Sequence, residues 1–347
     1  MSAETVPHRA YDDIQPSQSY YDFARRAGCL TDTVTAGSTV FACLQAADSR
    51  TLQKASADAG LWSHFGQWAF LPVTDGTLLR QRPTEQLLRG PVNGERMLTG
   101  NNANEGNYFV RQNIATEAAF RQWLLYDYPL LSEADVAEVL KLYRLPDGVA
   151  ASGGPRFDSN GLTPPFATAV SNHTSGWQQA ANNLYAETTF VCPAYWLADA
   201  YAADRNPQAA RGGKRSWRYQ FSVPNAFHGS DMAPLLDDSA TAAPGKMNVG
   251  FRAAFQTLWA NFIVGGDPTL GAAPASAVRG LVEGDDVVAA GAATWGAWTK
   301  GGAMLNLNVT NSMPYRARFN VVDGDKWEGG RRERCNLWVK LGAAANL

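Results

Sequence analysis

Two short polar loops constrain the fold of this chain more than anything else in it: GNNANEG at residues 100–106 and NAFHGSD at residues 225–231. Each follows directly on a segment that reads as a strand. ERMLTG (95–100) is a short strand candidate, and SWRYQFSV (216–223) alternates with the period of two that a pleated strand imposes. Between them come two helices and a longer helical stretch over 175–203, broken or kinked at Pro193. The order is strand, loop with Glu105, helices, strand, loop with His228, helix. Strands joined through helices build open α/β sheets, and such sheets carry functional residues on loops just beyond the strand ends. The expected fold class is therefore α/β, as an incomplete, mostly parallel sheet with flanking helices.

The remaining segments fit around this frame. Residues 18–28 and 43–58 read as helices. FLPVTDG (70–76) is an extended piece ending in an Asp-Gly turn, and Pro83 opens a short helix, PTEQLLRG, with Gly90 at its end. In SEADVAEVLKLY, Ser132 and Asp135 have capping-box spacing, and Val136, Val139, Leu140 and Tyr143 share one helical face. Residues 146–165 read as a Gly/Pro/Ser-rich loop. FRAAFQTLWANFI (251–263) is helical, with Phe251, Phe255, Trp259 and Phe262 in one stripe. Residues 265–319 read as irregular with short strands, and a last helix covers 332–341. The expectation is one partial domain over 1–347 with a poorly ordered start at 1–20.

Composition narrows the function. Thirty Lys and Arg against 32 Asp and Glu leave a net charge of −2, which gives no reason to expect a nucleic-acid partner. The basic clusters at 211–218 and 326–334 are interrupted by aromatics or acids and read as solvated faces. No apolar run is long enough for a membrane span, and the polar N-terminus lacks the layout of a signal peptide. Cys29, Cys43, Cys192 and Cys335 show no metal-ligand spacing with His8, His64, His173 or His228, so no metal site and no cofactor are expected. Their even number fits two disulfides or four buried thiols equally well. Asn172 and Asn308 each open an N-x-Thr glycosylation triplet.

His228 precedes Gly229, which lets the loop turn sharply. Alone, His228 is a loop histidine and Glu105 a solvated turn acid. Together they are more informative, because a hydrolytic triad needs an acid that fixes the tautomer of a histidine base. The chain order Ser, acid, His is one way nature supplies those parts, and Glu105 followed by His228 matches its last two members.

On these motifs the chain resembles the C-terminal part of a type-B carboxylesterase, the cholinesterase/lipase family of α/β-hydrolases, close in style to its fungal secreted members. AGC…FACL (27–44) resembles the family's short disulfide loop, and FLPVTDG the F-x-P-V-x-D-G segment before the acid strand. GNNANEG resembles the G-x-N-x-x-E-G motif whose glutamate is the triad acid. FVCP (190–193) and ERCNLW (333–338) resemble the helix cysteine and its C-terminal partner. FHGSD (227–231) resembles the H-G-x-[DE] motif of the base. FQTLWANFIVGGDP (255–268) and MLNLNVT (304–310) continue the match. The resemblance implies the C-terminal portion of an α/β-hydrolase fold, disulfides Cys29–Cys43 and Cys192–Cys335, catalytic roles for Glu105 and His228, small-molecule ester substrates and an extracellular location.

One departure matters. Neither a G-x-S-x-G elbow nor an HGG-type oxyanion segment occurs in the sequence. The expectation is a carboxylic ester hydrolase represented by a piece that starts after the nucleophile, inactive in isolation. The alternative is a catalytically dead cholinesterase-like binding or adhesion module. Phe227, Trp62 and Phe65 are candidate pocket linings, with ordinary core packing as their expected role. The sequence carries no signal for oligomeric state.

Overall fold

The structure, a computed structural model, describes residues 9–31, 38–63, 65–89, 92–145, 161–236, 247–271, 278–287, 295–310 and 313–345. The chain divides into two compact units, Val6–Pro83 and Thr84–Ala345.

The smaller unit holds helices α1 (Ile14–Arg26), α2 (Ser38–Ala46) and α3 (Ser49–Leu61). Helix α1 starts inside the stretch expected to lack order because Asp13 caps it, accepting from the Ile14 N–H at 2.8 Å. The single helix expected over 43–58 is two, because the Asp48 carboxylate accepts from the N–H groups of Arg50 and Thr51 at 3.0 Å and starts a new helix there. A disulfide joins Cys29 to Cys43, and Ala24, Val40 and Leu44 pack around it. The Asp-Gly turn forms as expected, with Asp75 Oδ1 accepting from Thr77, Leu78 and Leu79 N–H at 2.9 Å each. Trp62 and Phe65 are exposed here rather than packed in a core.

The larger unit runs α4 (Pro83–Arg89), β1 (Arg96–Asn102), α5 (Glu117–Asp127), α6 (Glu133–Leu142), α7 (Gly176–Ala186), α8 (Cys192–Tyr201), α9 (Pro207–Arg211), β2 (Arg215–Phe221), α10 (Met232–Leu236), α11 (Val249–Gly265), β3 (Ala303–Val309), β4 (Ala317–Asp323), α12 (Trp327–Lys340) and α13 (Gly342–Ala345). The capping box at Ser132 and Asp135 is present. Pro193 is the second residue of α8, directly after the π-helical turn Glu187–Val191 that carries the helix from α7 into α8. Most of the 146–165 loop and Gly90 lie outside the described residues.

The sheet has the order β1-β2-β3-β4, with β1, β2 and β3 parallel and β4 antiparallel to β3. Strand alternation assigns its two faces. Leu98, Trp217, Tyr219, Phe221, Leu305 and Leu307 pack with Phe251, Phe255 and Leu258 of α11; of the stripe read from the sequence, Phe251 and Phe255 are buried there and Trp259 and Phe262 pack partly buried against them. Burying each such aromatic contributes about 2–3 kcal/mol, which holds α11 on the sheet. The other face is polar, and α8 and α12 cover it. Ser216 Oγ donates to Ala198 O at 2.7 Å, and the Arg218 guanidinium lies 3.6 Å over the Tyr195 ring. The disulfide Cys192–Cys335 ties these two helices together. Helices on both faces of a largely parallel sheet make this an α/β fold.

Arg218, Arg331 and Arg334 correct the reading of their clusters as solvated faces, since all three are buried. Their burial is possible because Glu187, itself fully buried, accepts from Arg331 Nε at 3.2 Å and Arg334 Nη2 at 2.8 Å, while Asn101 Oδ1 accepts from Arg218 Nη2 at 2.5 Å.

Candidate active site

Residue Glu105 begins a single 3-10 turn, Glu105–Tyr108, three residues beyond the end of β1. The strand pairing continues just far enough to fix it: Ala103 N–H donates to Phe221 O and Asn104 N–H to Ala226 O, both at 2.9 Å. The turn then packs so tightly on α7 that any Cβ on Gly106 would collide with the backbone carbonyl of Asn182. The Glu105 side chain is driven inward and is fully buried.

A buried carboxylate must be hydrogen-bonded to offset its lost hydration. Glu105 Oε1 accepts from the Asn102 backbone N–H at 2.5 Å and from Asn102 Nδ2 at 3.1 Å. Its other oxygen, Oε2, lies 2.8 Å from Nδ1 of His228. His228 sits in the loop after β2, which turns through Gly229 at a φ of 79°. The imidazole is packed against Phe109 and Phe190, with ring centroids 5.3 and 4.7 Å away, and its side chain keeps 30% of its exposure. A carboxylate on Nδ1 holds the proton there and leaves Nε2 as the basic atom.

A second carboxylate supports the arrangement. Asp231, buried three residues after His228, donates its backbone N–H to Asn102 Oδ1 at 3.1 Å and accepts from Asn102 Nδ2 at 3.0 Å. Its other oxygen accepts from the Tyr219 hydroxyl at 3.0 Å. Burial, and next the charge of Asp231, hold the Tyr219 phenol far above its ordinary pKa, so it keeps its proton and donates it. Tyr219 reaches this position by lying across Gly100, its register partner on β1, where any side chain would meet the ring. Asn102 and Asp231 belong to the two motifs read from the sequence, but nothing local in the sequence signalled that they meet.

Around the site, Phe227 stands edge-on to Tyr108 at 5.1 Å and to His173 at 5.2 Å. Among the described residues, no group of three or more His, Cys, Asp or Glu could hold a metal ion, and no helix is long and apolar enough to cross a membrane. Asn172 is partly exposed and donates to Asn225 Oδ1 at 2.5 Å, whereas Asn308 is buried in β3. His8 and His64 lie outside the described residues.

A buried glutamate in contact with a histidine, on the loops after neighbouring parallel strands, fits an α/β-hydrolase fold. The chain belongs to the carboxylesterase family, whose sequence pattern matches residues 1–313. It is similar to Secreted lipase 4 of Gibberella zeae, 22% identical over 81% of this chain and 47% of the relative. It is also similar to Lipase 2 of Geotrichum candidum, 30% identical over 48% of this chain and 30% of that protein. Cholinesterase 2 of Branchiostoma lanceolatum is 24% identical over 62% of this chain and 57% of its own length. Among solved structures, EstA of Aspergillus niger superposes over 100% of this chain and 58% of its own, with a TM-score of 0.63 and 18% identity, a likeness of fold. The chain thus spans roughly half the length, or less, of the relatives it matches.

Proposed function

We propose that this chain carries the acid and the base of a carboxylic ester hydrolase, with Glu105 orienting His228 and His228 moving the proton. The observation that carries the reading is the 2.8 Å contact between a fully buried Glu105 Oε2 and His228 Nδ1. In that chemistry His228 Nε2 takes the proton of an attacking serine hydroxyl and later gives it to the leaving alcohol, and Glu105 stabilises the imidazolium between the two steps. The sequence offers no G-x-S-x-G serine, so the nucleophile and the oxyanion donors would come from outside these 347 residues. Small-molecule esters are the proposed substrates, in keeping with the family and with relatives named as lipases and a cholinesterase. The two disulfides, and the name of the Gibberella relative, support an extracellular location, and Asn172 is the more accessible of the two glycosylation candidates.

The experiment is hydrolysis of p-nitrophenyl butyrate. The chain alone should turn over no faster than its His228→Ala variant. In a protein where the chain is continuous with a G-x-S-x-G segment, removing the acid by Glu105→Gln should lower kcat on the order of 10⁴-fold. Undiminished turnover in that variant overturns the proposal. A non-hydrolytic binding module is the second reading, favoured by the missing elbow and opposed by the intact pair; in the continuous protein it predicts no turnover at all.

A further inference from the structure

We infer that Asn102 and Asp231 are positioning residues: the Asn102 amide clamps the acid turn to the base loop by bridging two carboxylates. This rests on the reading of Glu105 and His228 as acid and base, and it adds two residues to that pair.

A backbone N–H can only donate. The backbone N–H of Asp231 points at the Asn102 side chain, so the atom that receives it at 3.1 Å is the amide oxygen. The amide nitrogen is then fixed on the opposite side, and its two hydrogens face two different carboxylates. One meets Glu105 Oε1 at 3.1 Å and the other meets Asp231 Oδ1 at 3.0 Å. Three residues separate Asn102 from Glu105, but 129 separate it from Asp231, so the amide joins the end of β1 to the loop after β2.

Every member is at least nine-tenths buried: Asn102 and Glu105 at 0% exposure, Tyr219 at 2% and Asp231 at 4%. In so dry a setting, two carboxylates on adjacent loops with no donor between them would repel strongly. Asn at position 102 turns that repulsion into two charge-assisted hydrogen bonds. Asp, the isosteric alternative, has no side-chain hydrogen to offer either acid and leaves Glu105 only the backbone N–H of residue 102.

The clamp also has a fixed foot. The Tyr219 hydroxyl donates to Asp231 Oδ2 from β2, and the ring is held over Gly100 of β1. The sheet therefore sets Asp231, Asp231 sets Asn102, and Asn102 sets the face that Glu105 turns towards His228. With Oε1 engaged by Asn102, Oε2 is the oxygen presented to Nδ1. The clamp decides the geometry of proton transfer without touching substrate.

The test is the low-field proton resonance of His228 Nδ1–H in the nitrogen-15-labelled chain. Wild type should show it at neutral pH. Asn102→Asp should abolish it while far-UV circular dichroism and both disulfides stay unchanged, an outcome that mere packing would not give. Asp231→Asn should keep it in weakened form, since the side-chain oxygen still accepts from Asn102 while the amide nitrogen can no longer accept from the Tyr219 hydroxyl. Should Asn102→Asp fail to fold, Asn102→Ala takes its place with the same expected loss. Retention of the resonance in the Asn102 variant, or its loss in Asp231→Asn, overturns the clamp and leaves the pair standing. Absence of the resonance in wild type overturns the acid–base pair, and the clamp with it.

Discussion

Among the described residues of the larger unit, Glu105 and Glu187 are fully buried glutamates that meet basic side chains, and their difference separates structure from chemistry. Glu187 is held by Arg331 and Arg334 and also accepts from the Tyr143 hydroxyl at 2.6 Å. Burial pushes its carboxyl up, but the two guanidiniums outweigh this and hold it below its ordinary value. Both partners are permanent cations, fully or almost fully buried, and no proton can pass between them at physiological pH. Glu105 has the opposite kind of partner, an imidazole, which can gain or lose a proton and here keeps 30% of its exposure. Burial of a carboxylate is common to both. What distinguishes Glu105 is a partner that can change charge and reach solvent.

The largest effect should come from the covalent tie beside the Glu187 cluster. The Cys192–Cys335 bridge closes 143 residues of sequence. Replacing both cysteines by Ala should cost about 5 kcal/mol on the chain-entropy estimate, read from urea denaturation. Glu187→Gln comes next, leaving two buried guanidiniums uncompensated at a cost of about 3–5 kcal/mol. A loss under about 1 kcal/mol would break the comparison, because Glu187 would then not be structural.

A third buried acid sharpens the contrast. Burial pushes Asp127 from its ordinary 3.8 up to about 7, and Trp123 and Arg111 offset only part of this. A carboxyl with a raised folded pKa favours the native state when protonated. The penalty is absent below about pH 4, grows as pH rises towards 7 and is complete above it. Asp127→Asn should therefore raise stability at pH 8, by no more than about 4 kcal/mol, and leave it unchanged at pH 4. Chemical denaturation at the two pH values checks the sign. The smallest stability change belongs to Glu105→Gln, about 1 kcal/mol, because Gln keeps an acceptor for Asn102. A loss as large as that of Glu187→Gln would make Glu105 a structural acid too.

How much of this was legible follows from how local each signal is. Glu105 and His228 could be read because each lies in a short loop next to its strand and the two keep a telling order. The helix of 251–263 and the capping box at Ser132 declared themselves through spacing alone. The Glu187 cluster did not, because Arg331 and Arg334 look like surface cations until a carboxylate 144 and 147 residues earlier is placed beside them. Strand β3 was read only as one of the short strands in an irregular stretch, although Leu305, Asn306, Leu307 and Asn308 alternate as a pleated strand does, and β4 runs past the end of that stretch at residue 319. The bridge from Asn102 to Asp231 was invisible for the same reason. Each residue sits in a recognisable motif, but the bond between them exists only once β1 and β2 are side by side.

The central claim is that Glu105 serves His228 rather than the fold. The most direct measurement follows the low-field Nδ1–H proton of His228 in wild type and in Glu105→Gln, at matched stability. The account predicts a resonance in wild type that is lost or moves sharply upfield in the variant, because a neutral amide cannot replace the carboxylate. An unchanged resonance would show that Glu105 does not set the imidazole and would contradict it.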